Sequence, residues 1–217
     1  MASRHVLSTI ALVVMLALSS GVLAKADPIG PDCATCQGST YWLLDLLGSP
    51  SPGFTDIVFR IDTSTYSGSA TTVAIDAVSI KVLGDMAGTT LVDAPGGVSK
   101  WTLYFKPVSN SSDAVGCGTT GTSTPWACAD DASLPYDAGI GGILEWVFRV
   151  PGPPPEGWID PASIKARYVD SFGEKQGPLL SEDISIQKVP EPASLLLFGT
   201  GLVFVGKLWR KRQGKTF

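Results

Sequence analysis

The sequence predicts an all-β ectodomain, an antiparallel β-sandwich of jelly-roll type, between an N-terminal signal peptide and one C-terminal transmembrane helix. Three observations predict it. Short apolar runs with period-two alternation recur through residues 27–188. Clusters of Gly, Pro, Ser and Asp separate them as turns. Continuous apolar stretches of helical type occur only at the two ends of the chain.

The N-terminus carries Arg4 and His5, then an apolar run from Val6 to Leu18, then Ser19-Ser20-Gly21. This is the layout of a signal peptide, with small residues placing cleavage after Ala24 or Ala26. The expected segments are 1–26 (signal peptide), 27–188 (sandwich) and 189–217 (sorting and anchor segment).

Within the sandwich, the run Tyr41 to Leu47 reads as the first strand, and Ile57 to Ile61 follows a Ser-Pro-Ser-Pro-Gly turn. Val78, Ile80 and Val82 alternate with Ser79 and Lys81; Trp101, Leu103 and Phe105 alternate with Thr102, Tyr104 and Lys106. The clearest strand is Ile143 to Val150, with Leu144, Trp146, Phe148 and Val150 on one face and Glu145 and Arg149 on the other. Ile164, Ala166 and Tyr168 alternate with Lys165 and Arg167, and Ile184 and Ile186 with Ser185 and Gln187. Val108 to Gly142 reads as one long Gly/Ser/Thr/Asp-rich connection, of the kind that is functional or stapled.

Composition narrows the chemistry. The single histidine of the 217 residues is His5, inside the predicted signal peptide. The mature chain then has no imidazole for Ser-His-Asp or Cys-His catalysis or for His-ligated metals. The formal charge of −4 conceals an ectodomain with 19 acidic and nine basic residues, a net of −10. Such a domain repels nucleic acid, so no nucleic-acid partner is expected.

Cys33-Ala-Thr-Cys36 has the spacing of a thiol redox site, but no βαβ pattern surrounds it to lower a thiol pKa. A zinc site from all four cysteines is disfavoured by the ten residues between Cys117 and Cys128. Two structural disulfides, Cys33–Cys36 and Cys117–Cys128, are the favoured of three connectivities. The second would close a loop of about 12 residues and stabilise by roughly 3 kcal/mol.

No cofactor is expected. Candidate acids for glycan cleavage are Glu145, Asp137, Glu174 and the Asp130-Asp131 pair, but a surface carboxylate paired with Lys or Arg is the favoured reading of Glu145. The expected protein is therefore not an enzyme. Trp126 and Trp158 lie in turn-rich segments from which an indole can stack on a sugar ring. A carbohydrate-binding module is the alternative they raise.

The C-terminal end is the most specific segment. Pro190-Glu191-Pro192 stands directly before an apolar run, Ala193 to Val205, with the basic residues Lys207, Arg210, Lys211, Arg212 and Lys215 beyond it. As a helix the 13 residues of that run span roughly 20 Å, extended by Leu208 and Trp209 towards the thickness of a bilayer. The basic cluster keeps its end cytoplasmic, which places the large domain on the other side. The two prolines hold Glu191 on an extended stalk that a processing enzyme can bind.

This tail, Val189 to Phe217, resembles the PEP-CTERM sorting domain of exopolysaccharide-producing Gram-negative bacteria, a module also named after an ice-binding protein C-terminus. The resemblance implies recognition and cleavage by an exosortase near Pro190-Glu191-Pro192. It implies export across the inner membrane, a transient membrane anchor, delivery to the envelope or extracellular matrix, and association with exopolysaccharide. It says nothing of ice, and nothing of the ectodomain's ligand.

Overall fold

Ten strands alternate with turns in the computed structural model, which describes residues 28–46, 51–108, 116–118, 125–131, 133–152, 159 and 161–189. The strands are β1 Thr40–Leu46, β2 Phe54–Asp62, β3 Ala74–Lys81, β4 Thr90–Asp93, β5 Thr102–Tyr104, β6 Ala127–Asp130, β7 Ile143–Pro151, β8 Ala162–Val169, β9 Leu180–Ile184 and β10 Gln187–Val189. They form two five-stranded sheets. One has the order β10-β1-β2-β7-β4, the other β5-β6-β3-β8-β9. All pairings between named strands are antiparallel except β1–β10. All the described residues lie in one unit, Ala26–Val189.

Period-two alternation builds the core. Tyr41 and Leu43 of β1, Ile57, Phe59 and Ile61 of β2, and Trp146, Phe148 and Val150 of β7 turn inward from the first sheet. Val78 and Ile80 of β3, Ile164, Ala166 and Tyr168 of β8, and Leu180 and Ile184 of β9 meet them from the second. Trp146 stands at the centre: it is fully buried, edge-on to Trp101 at 5.4 Å between ring centroids, and 6.3 Å from Phe59. The buried hydroxyl of Tyr41 meets that of Tyr168 at 2.7 Å, and Tyr168 donates to Ser39 Oγ at 2.8 Å. This pair of polar tips ties the sheets together across the core.

The predicted strands are present with shifted ends, and two differences stand out. The Val108 to Gly142 connection contains β6, which pairs with both β3 and β5. Its sequence, Ala-Cys-Ala-Asp, has only small apolar residues and so carries little hydrophobic signal. The expected Ile184–Gln187 strand is instead the end of β9 and the start of β10, which belong to different sheets. β10 also runs to Val189, one residue past the predicted domain boundary.

Trp146→Ala is expected to destabilise the domain by about 3–5 kcal/mol through the cavity it leaves. Trp126→Ala, at a half-exposed position, should stay within about 0.5 kcal/mol. Urea unfolding of both variants checks the contrast.

Candidate functional site

Two surfaces bear on function: the strand from which the sorting segment departs, and the outer face of the second sheet. Pro190-Glu191-Pro192 follows β10 without a spacer. In β10, Gln187, Lys188 and Val189 run parallel to Leu44, Asp45 and Leu46. Proline has no N–H to donate to a β ladder. The motif itself, the apolar run, the basic residues Lys207, Arg210, Lys211, Arg212 and Lys215, the predicted signal peptide and Trp158 lie outside the described residues. No described helix is long and apolar enough to cross a membrane.

The outer face of the second sheet is built from a local irregularity. The register of β3 on β8 shifts between Ile75 and Ala77, so Asp76 is the extra residue of a β-bulge. The shift points Ala77 outward and places the Asp76 carboxylate against Arg167 of β8. Arg167 is fully buried, donates from Nε to Asp76 Oδ1 at 2.9 Å, and adds a close contact from its second nitrogen. Burial alone lowers the Arg167 pKa, but the bonds and charge of Asp76 outweigh it and hold the group cationic. Asp130 of β6 shares the row, pairing with Ala77 as Arg167 does.

A stapled segment covers this row. Val108 and Cys117 form an isolated bridge, and the Cys117–Cys128 disulfide, with a Cα–Cα distance of 6.0 Å, fastens the segment to β6. Ala77, Val108, Cys117, Cys128 and Leu179 pack there as a second, small apolar cluster. Gly116 approaches so closely that a Cβ would collide with the Asp130 carboxylate and the Ala77 methyl. Burial, then the charge of Asp76, pushes the Asp130 carboxyl up to about 6, while Arg167 and the backbone N–H groups of Gly116 and Cys117 restrain the rise.

Beside this cover lies an open groove of about 670 Å³ with Trp126, Lys165, Lys175, Pro178 and Ser181 in its lining. The Lys165 ammonium sits 5.2 Å from the centroid of the Trp126 ring and donates to Ser181 Oγ at 2.9 Å. Burial holds its pKa below the ordinary lysine value. An ammonium held over an indole at the wall of a groove offers a positive charge to an anionic substituent next to an aromatic surface.

The other sequence candidates do not gather here. Glu145 is half-exposed and bound to Arg60 Nε at 2.5 Å. Asp137 faces Lys100 at 3.6 Å, and Glu174 is exposed. Asp131 is buried but spends its oxygens on the backbone N–H groups of Ser133 (3.0 Å) and Asp137 (3.1 Å). Among the described residues no three His, Cys, Asp or Glu side chains form a metal site. The second disulfide, Cys33–Cys36, staples the N-terminal turn beside β9, where Thr35 donates to Glu182 Oε1 at 2.5 Å. The same carboxylate oxygen lies 3.8 Å from Cys33 Sγ.

The model of the PEP-CTERM protein-sorting motif matches residues 188–213. The chain carries a PEP-CTERM sorting motif. That motif implies an exported protein processed by an exosortase. It takes in the last two residues of β10, so sorting signal and folded domain abut. No curated protein matches the chain. A solved structure of an uncharacterized protein from Nocardia farcinica, with an immunoglobulin-like fold, is similar over 65% of this chain and 81% of its own, at 16% identity and a TM-score of 0.38.

Arg167 and Asp76 were not legible as a buried pair: alternation puts Arg167 on the outer face but Asp76 on the inner face of Val78 and Ile80, and only the bulge brings the two together. Their state sets a pH dependence through Asp130. Its folded pKa lies above its unfolded value of 3.8, so between pH 4 and 6 the folded state holds a proton that the unfolded chain releases. Asp130 therefore favours the fold most at low pH, and its contribution falls as pH rises through that window. Urea unfolding at pH 4.5 and pH 7 should show this fall in the wild type and a smaller one in Asp130→Asn.

Proposed function

We propose that the chain is a non-enzymatic protein of the cell envelope or extracellular matrix, associated with exopolysaccharide, whose tail is a transient inner-membrane anchor that exosortase removes. The observation that carries this reading is the sorting motif at residues 188–213, which begins within the last strand of a folded domain. Pro190, Glu191 and Pro192 form the recognised stalk. Lys207, Arg210, Lys211, Arg212 and Lys215 hold the far end on the cytoplasmic side. The signal peptide of residues 1–26 starts the export, and the sandwich is the cargo. A jelly-roll-like winding belongs to the same reading: β2-β7-β4 in one sheet interleaves with β8-β3-β6 in the other.

Replacing Pro190, Glu191 and Pro192 together by alanine should leave the full-length protein in the inner-membrane fraction. Immunoblots of fractionated cells read the result. A tail processed as in the wild type would refute the role given to the motif.

The second reading, a carbohydrate-binding module, is favoured by the groove at Trp126. Lys165 lies on the indole within an otherwise acidic domain, which suits a sugar bearing a carboxylate. The surface pairing of Glu145 with Arg60 supports a binding role over glycan cleavage. In affinity electrophoresis, a polyuronate is expected to retard the full-length protein in detergent more than dextran does. Trp126→Ala should abolish the difference, and equal mobility in both gels would remove this reading.

A further inference from the structure

One end of the first sheet gathers the points where β1, β7 and β10 finish and β2 begins. Val189 is in register with Leu46, Leu46 with Asp56, and Phe54 with Pro151. Paired residues share a face, and Phe54 lies two residues from Asp56, so Leu46 and Phe54 project from the same outer face. Each is 38% exposed. The acid between them in the register, Asp56, is engaged by Arg149 through two bonds of 2.8 Å, so its charge is met locally. The corner is apolar and internally neutralised at the end from which the chain departs.

The chain sets how far this corner can stand from a bilayer. Three residues, Pro190, Glu191 and Pro192, separate Val189 from Ala193, the first residue of the apolar run. Four Cα steps reach at most about 14 Å, and roughly 12 Å in the polyproline geometry that two prolines favour. The headgroup layer on each side of the hydrocarbon is about 6 Å deep. The apolar run is itself shorter than the hydrocarbon is thick, a mismatch relieved by local thinning or by drawing the flanking residues inward.

We propose that the Leu46–Phe54 corner rests in the headgroup layer of the membrane while the tail is intact, so that the tethered protein has two lipid contacts. The proposal relies on the reading of residues 193–205 as an inserted anchor. Its partner is the lipid surface itself. The opposite end of the sandwich, with Phe172 at 82% and Ile143 at 63% exposure, then faces away from the bilayer. Cleavage of the tail removes the constraint and frees the corner, since two partly exposed side chains are a weak anchor on their own.

Full-length protein reconstituted in phosphatidylethanolamine–phosphatidylglycerol nanodiscs tests this, with the photoreactive residue benzoyl-phenylalanine at position 54 or, as control, position 172. Both sites are solvent-accessible, so both variants should keep the wild-type circular dichroism. Illumination is expected to give several-fold more lipid adducts at 54 than at 172. Equal labelling, or more at 172, in protein that has entered the nanodiscs overturns the corner contact alone. A chain that does not enter them overturns the anchor reading and this proposal with it.

Discussion

A single ion pair dictates the layout of one whole face of this protein. Asp76 and Arg167 sit on the outer side of a sheet, where strands ordinarily meet water, yet the guanidinium is fully buried. Paired charges out of water are tolerated only with close geometry and full hydrogen bonding. The bulge at Asp76 supplies the geometry. The segment through Gly116 and Cys117 supplies the lid, and the Cys117–Cys128 disulfide keeps it down. The second apolar cluster and the raised pKa of Asp130 both follow from that cover.

Much of the sandwich was legible because its first sheet alternates cleanly. Ile143 to Pro151 shows the plainest pattern, with Trp146, Phe148 and Val150 buried and Glu145 exposed. β1 and β2 were equally readable, since Tyr41, Leu43, Ile57, Phe59 and Ile61 have the volume to announce a core. β4 and β6 were not. Thr90–Asp93 is four residues long, and Ala127–Asp130 buries itself with methyl groups and a cysteine. Arg167 was misleading for a different reason. Alternation assigns a residue to a face but cannot say whether another segment covers that face.

The functional residues divide along the same line. The sorting motif is linear, so its tripeptide, apolar run and basic end could be read without a fold. The four cysteines allow three connectivities that sequence does not decide, and the structure has the favoured one, Cys33–Cys36 with Cys117–Cys128. The groove depends on Trp126 and Lys165 arriving from distant parts of the chain, and Lys165 gave no sign of lying on an indole. Glu145 was readable as a surface acid from its place opposite Trp146, and Arg60 meets it across the strand pair.

The parallel pairing of β10 with β1 joins the latest strand of the domain to its earliest. That ladder cannot zip until the residues near 187 have cleared the translocation channel, long after Thr40 emerged. Scission anywhere beyond Val189 would hand over a sheet with its border complete, whereas a cut a few residues upstream would strip β1 of its neighbour. The boundary between the folded domain and the sorting motif is thus also the seam that closes the domain.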